Sequence, residues 1–296
     1  MAQRSLILPF CLMLGLWGIA QPVRSQALIP HTLQLDPKQL EEIGTSLIQE
    51  ADQWTRFQEY QQALPPAKLA AQLVPDNPQA WEVLGNIYVQ LGDTREGIAA
   101  LEQARTLEPD NATVLFSLGF AYFQQDDFAR AIEEFQAGLQ IQPDVPGVYF
   151  DLGNAYYRLG ELDRAIASYQ QAVEGDAKFW PAVNNLGLVK YEMGEIDEAI
   201  RLWEKAVGIE DVAEPKLALA IALYTQGKQE QGFELGEAAL QLDRRYAEIE
   251  FLKENLWGDR LLSDAATFIQ TPRIQASLEE VPPPTPAPFP GEGLGR

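Results

Sequence analysis

Outside its carboxylates, this sequence holds few side chains able to do acid–base, nucleophilic or metal chemistry. His31 is the only histidine and Cys11 the only cysteine. No Ser-His-Asp or Cys-His set can be assembled from them, and no His-Glu-x-x-His motif is present. A lone histidine in a loop near the start of a chain reads as solvated. Carboxylates are plentiful, 43 against 22 basic side chains. Pairs such as Glu41-Glu42 and Glu133-Glu134 read as outward helix faces, where charge serves solvation. Gly291, Gly293 and Gly295 have no strand before them and no helix after them, so they do not make a phosphate loop. The expectation is a non-enzyme with no metal and no cofactor, which moves the search from reactive groups to surfaces.

The formal net charge of −21 repels phosphate backbones and anionic lipid, so nucleic acid is not an expected partner. A hydrophobic content of 46% is ample for a folded core. Residues 1–27 read as a secretory signal peptide: Arg4, then the apolar Leu6–Ala20, then Ser25-Gln26-Ala27 as the first-choice cleavage site and Val23-Arg24-Ser25 as the next. The alternative is a retained anchor, although an apolar stretch of that length covers only about 22 Å of helix against a bilayer core of roughly 30 Å. No later apolar run is long enough to span a membrane. Membrane contact is therefore expected only through a retained signal segment or a client. Cleavage would also remove Cys11, leaving a chain without thiols that tolerates an oxidising compartment.

The main signal is internal repetition. Units begin at Gly44, Pro78, Ala112, Pro146, Trp180 and Ala213, each 34 residues long except the 180–212 unit, which is one shorter. The eighth position reads Ala51, Gly85, Gly119, Gly153, Gly187, Ala220. The twentieth reads Ala63, Gly97, Ala131, Ala165, Ala199, Gly232, and the twenty-seventh Ala70, Ala104, Gly138, Ala172, Ala206, Ala239. Each unit shows helical periodicity twice. In the 146 unit Tyr149, Leu152, Gly153 and Tyr156 form one stripe, and Ala165, Ile166, Tyr169, Ala172 and Val173 form the next. Two antiparallel helices per unit follow, with small residues where backbones approach. Pro75, Pro109 and Pro143 end three second helices. Ala177, Asp211 and Arg244 stand at that place in the last three units. Pro65-Pro66 should delay or kink the second helix of the first unit.

Leu-Gly at positions seven and eight, Tyr at eleven, Ala at twenty, an aromatic at twenty-four and Pro at thirty-two resemble the tetratricopeptide repeat, and "LGNAYYRLGELDRAIASYQQAV" does so most closely. The resemblance implies an all-α fold, an α-solenoid of about six helical hairpins over 44–246, with a lead-in over 28–43. It also implies a concave groove lined by the first helix of each unit. Groove positions in this family would be filled here by Asn86, Phe116, Phe120, Phe123, Phe150, Asn154, Tyr157, Arg158, Asn184, Asn185, Tyr191 and Tyr224. Large aromatics facing solvent would form an apolar interaction patch; the alternative is that several fold inward between helices. The asparagines could bond a peptide backbone and Arg158 a carboxylate. The lysines with which the family clamps chaperone tails are missing at the fifth positions.

Residues 247–272 lack the repeat signature and read as short capping helices, with Pro272 stopping the last, or as a docking motif. "FLKENLWGDRLLSDAATFIQTPRIQ" resembles tails of exported repeat proteins of cyanobacteria and plastids. Residues 273–296 read as a Pro/Gly-rich disordered tail. Together these imply an exported protein, in a periplasm or thylakoid lumen, that scaffolds or assembles client polypeptides of unknown identity. The alternative is a polysaccharide-binding or enzyme-accessory module. Mass spectrometry of native protein should find a mature chain beginning near Gln26 or Leu28. An intact Met1–Ala20 would establish the anchor instead.

Overall fold

In the computed structural model, residues 36–280 are described. The signal-peptide expectation, His31, Cys11 and the 281–296 tail lie outside them. Short polar residues and prolines start several of the helices. Asp36, Asn77 and Asn111 accept backbone N–H groups from Lys38, Gln79 and Val114 at 3.0, 2.9 and 3.2 Å. These bonds satisfy donors that a helix start leaves orphaned. Pro37, Pro78 and Pro146 stand in the first turn, where a missing N–H costs nothing.

Six hairpins result. The first helices are α1 (Pro37–Arg56), α3 (Pro78–Gln90), α5 (Ala112–Gln124), α7 (Pro146–Arg158), α9 (Trp180–Glu192) and α11 (Ala213–Thr225). Their partners are α2 (Tyr60–Leu73), α4 (Thr94–Leu107), α6 (Phe128–Ile141), α8 (Leu162–Gly175), α10 (Ile196–Ile209) and α12 (Gln229–Leu242). In the sequence register, every first helix ends at position thirteen, and every second helix runs from seventeen to thirty. Position fifteen carries the turn, with φ positive at Gln58, Gly92, Asp126, Gly160, Gly194 and Gly227. Glycine adopts that conformation freely, whereas Gln58 and Asp126 each meet a Cβ clash costing roughly 1–2 kcal/mol. The residue missing from the 180 unit falls in the linker before α11, so no helix is shortened.

The eighth and twenty-fourth positions fit together. A Cβ on Gly119, Gly153 or Gly187 would lie 2.5 Å from Phe135, Tyr169 or Trp203 respectively, and one on Gly85 would lie 2.6 Å from Leu101. The eighth-position glycine is therefore the seat for the ring or branched chain of the second helix. Phe135, Tyr169 and Trp203 are all fully buried there. In the first and last units the eighth residue is Ala51 or Ala220, and the twenty-fourth shrinks to Ala67 or Gly236.

The last unit recovers its missing ring from beyond the repeats. After a short 3-10 helix (Arg244–Ala247) come α13 (Ile249–Glu254), α14 (Asp259–Ile269) and α15 (Pro272–Glu280). Phe268 of α14 lies 2.6 Å from where a Gly236 Cβ would be, and its ring packs on Tyr224 and Phe233 at 5.2 and 5.8 Å. α14 rests on α9 and α11. Glu192 accepts the N–H groups of Arg260 and Leu261 at 3.1 and 3.0 Å, which places a carboxylate on the positive end of α14. Tyr191 donates its hydroxyl to Asp264 at 2.6 Å. Arg273 ties α15 to α12 through Glu237 and Glu230 at 2.6 and 2.8 Å.

Several boundaries need correction. α1 begins at Pro37, inside the expected 28–43 lead-in, because Asp36 and Pro37 form a helix start seven residues ahead of the unit. Pro65 and Pro66 do not delay α2, which starts at Tyr60 in register with the other second helices. The absence of a terminal proline leaves the ends of α8, α10 and α12 unchanged. The helix before Pro272 does stop, α14 ending at Ile269, but Pro272 also opens α15, since its fixed φ suits the first helical position. Residues 273–280 are thus helical, not tail. Phe268→Ala should lower stability by about 3–5 kcal/mol through loss of a fully buried ring. Ala165→Leu should cost about 1–3 kcal/mol by overpacking a site with no exposure. Thermal melts check both, and a melt unchanged by either substitution would contradict the packing described.

Candidate functional site

Each first helix turns its groove positions toward the inner layer, where α3, α5, α7, α9 and α11 touch in succession. At the C-terminal end that layer is covered. Tyr191 is buried beneath α14, and Tyr224 is partly exposed but packed against Phe233 and Phe268. The extra helix supplies the reason: both tyrosines stand at the twelfth position of a unit on which α14 lies. Phe116 turns sideways into its own hairpin, its ring against Gly138. Phe120 is exposed, and Asn86 and Tyr157 are partly exposed.

Six of the remaining expected residues meet in one recess. Phe123, Phe150, Asn154, Arg158, Asn184 and Asn185 line a cavity of about 270 Å³, together with Trp180, Pro181, Glu214, Glu254, Asn255 and Leu256. The aromatic side is rigid: Phe150 meets Phe179 edge-on at 5.4 Å and Tyr169 at 5.9 Å. Beneath it runs an amide chain. Asn154 Oδ1 accepts from the Tyr169 hydroxyl at 2.8 Å and from Asn185 Nδ2 at 2.9 Å, and Asn185 Oδ1 accepts from Asn184 Nδ2 at 3.1 Å. Asn184 Oδ1 is buried without a partner. Arg158, at the mouth, pairs with Asp126 at 3.2 Å and lies over the Phe128 ring at 5.0 Å.

Glu214 closes the far side. Its Oε1 accepts from Trp257 Nε1 at 3.2 Å, and its Oε2 from the Tyr246 hydroxyl at 3.4 Å. Burial pushes its carboxyl up to about 7, although hydrogen bonds from Trp257, Asn184 and Tyr246 pull the other way. Burial alone also pushes Asp151 up to about 7. Tyr157 is raised too, by burial first and then by the Glu192 and Asp259 charges. Among the described residues no group of three or more His, Cys, Asp or Glu could hold a metal ion.

Reading the repeats missed part of this recess. Glu214 and Pro181 occupy second positions, a groove position of the repeat, so the register could have flagged them; Trp180 stands at a first position, outside the groove set. Glu254, Asn255 and Leu256 come from α13 and the turn after it, where no repeat register applies. Leu256, with φ 63°, holds the left-handed conformation that ends α13.

Three tetratricopeptide-repeat family models match residues 82–146, 122–187 and 182–209. No curated protein sequence matches the chain. Among solved structures, MamA is 26% identical with a TM-score of 0.52, over 58% of this chain and 93% of its own. PilW, described as a widely conserved type IV pilus biogenesis factor, is 24% identical with a TM-score of 0.62, over 70% of this chain and 96% of its own. YrrB, described as a TPR protein with an unusual peptide-binding site, is 22% identical with a TM-score of 0.52, over 64% of this chain and 96% of its own. With a common helix register through six hairpins and these matches inside it, the chain carries tetratricopeptide repeats over residues 82–209.

Proposed function

We propose that this protein is an exported scaffold or assembly factor that holds client polypeptides against the inner face of α3, α5 and α7. Its repeat fold supports a role in protein–protein interaction. The observation that carries the reading is the exposed Phe120 beside the partly exposed Phe123, Phe150 and Tyr157, in the portion of the inner layer that α14 leaves open. Rings that stand partly in water and are fixed by neighbouring helices give up apolar area to a partner at little entropic cost. PilW's description as a pilus biogenesis factor and YrrB's as a peptide binder are in keeping with this use of the fold, though at such identities the likeness extends to the fold alone. Export rests on the sequence of residues 1–27.

The test is the double substitution Phe120→Ala with Tyr157→Ala. Truncating hot-spot aromatics costs about 2 kcal/mol or more, and about 1.4 kcal/mol is tenfold in affinity. Client affinity should therefore fall at least roughly tenfold, with circular dichroism unchanged. Binding should depend weakly on salt, because screening acts on exposed charges. A folded double mutant that retains its clients at equal affinity would sink the reading.

A further inference from the structure

We propose that the recess between α7, α9 and α13 is a subsite for one basic side chain, the guanidinium or ammonium group of a client polypeptide. The inference rests on the polypeptide-binding role above and adds the chemistry of the anchor. Each side-chain amide that faces the recess has a donor engaged within the protein, and the indole N–H of Trp180 is the donor left over. Asn185 Nδ2 goes to Asn154, Asn184 Nδ2 to Asn185, Trp257 Nε1 to Glu214, and Asn255 Nδ2 to the Phe251 carbonyl at 2.7 Å. The buried group left without a partner is an acceptor. Asn184 Oδ1 has no partner although the residue is only 1% exposed, and a buried acceptor left unpaired calls for a donor. The carboxylates of Glu214 and Glu254 line the same recess.

An anionic ligand would find one cation, Arg158, already held by Asp126. A cation with several N–H groups fits better. It answers the orphan acceptor and one carboxylate together, and charge-assisted bonds of this kind are the strong ones. The Trp180 and Phe150 rings line the same recess, where they can flank an aliphatic stem and draw a cation to their faces. The volume of about 270 Å³ holds one long side chain rather than a folded element.

The charged and titratable groups around Glu214 are Tyr246 from the 3-10 helix, Glu254 of α13 and Arg158 of α7, while Lys216 on its own helix is paired with Asp211. Burial raises Glu214 to about 7 in the empty recess. A cation binds the ionised form, so affinity should rise with pH through that region and fall below it, as the proton competes for the carboxylate.

The experiment follows the indole N–H signals of Trp180 and Trp257 in the full ¹⁵N-labelled chain. The probes are blocked single residues: N-acetyl-arginine, N-acetyl-norleucine and N-acetyl-glutamate N-methylamides. The arginine probe should shift both signals at about pH 8 and bind roughly tenfold more tightly than the norleucine probe, with that preference shrinking at about pH 5.5. Glu214→Gln should remove the preference and flatten its pH profile. Glu254→Gln, at the rim, should weaken the preference and leave the profile in place; it also serves if Glu214→Gln does not fold. Equal binding of the arginine and norleucine probes, tighter binding of the glutamate probe, or an unchanged preference in a folded Glu214→Gln protein would each overturn the proposal. These outcomes leave the client-binding test on Phe120 and Tyr157 standing, since that test uses neither these probes nor this recess.

Discussion

The contact between a bare backbone at the eighth position and a large side chain at the twenty-fourth governs this architecture. Phe135, Tyr169 and Trp203 lie on Gly119, Gly153 and Gly187 at distances that a Cβ would forbid. The small residues at twenty and twenty-seven admit other groups: Gly97 lies against Val89 and Gly85, and Gly138 against the Phe116 ring. Truncating a ring at the twenty-fourth position is a loss on the order of 3–5 kcal/mol, large against the few kcal/mol by which a domain of this size is stable. The angle between the two helices, and so the direction of each inner face, follows from seating that ring. Because each hairpin touches mainly its neighbours, a fault in one seat is felt first by the adjacent units.

The C-terminal helices obey the same constraint by a different route. Gly236 offers a seat with no ring from its own hairpin, and Phe268 occupies it from α14. That insertion determines how much inner surface stays open. It covers the faces of α9 and α11, buries Tyr191, and brings α13 alongside the amides of α7 and α9. The recess is therefore joint work, with repeats on one side and non-repeat chain on the other. Its polarity follows from this: the repeats contribute aromatics and amides, while the last first helix and α13 contribute carboxylates.

The fold was legible because a periodic sequence repeats its evidence. Eighteen small residues at three positions fixed the helix pairing, and the unit starts at Pro78, Ala112, Pro146, Trp180 and Ala213 coincide with helix starts. The candidate site was only partly legible, because register predicts which way a residue leaves its helix but not what covers it. Phe150, Asn154 and Asn185 were found this way. Tyr191 satisfied the same register and is buried, and Tyr224 packs on Phe268, since nothing in their own units announces α14. Glu214 looked like one carboxylate among 43, and only its surroundings distinguish it. Pro272 was half legible for a related reason: a proline ends a helix behind it, as α14 does at Ile269, and favours one ahead, and only the chain beyond decides whether α15 forms.

The supply of Phe268 from outside the repeats also orders events in time. A ribosome delivers the chain N-terminus first, so the six hairpins can stack while α13 and α14 are still missing. During that interval the inner faces of α9 and α11 stand uncovered, Gly236 has an empty seat, and the recess lacks one wall. A chain halted before α13 would lack Glu254, Asn255 and Leu256 of the recess and the core residues of α14, leaving the last repeats without their cap. The last helices thus act as a mark of completeness, and only a fully delivered molecule acquires the selective recess.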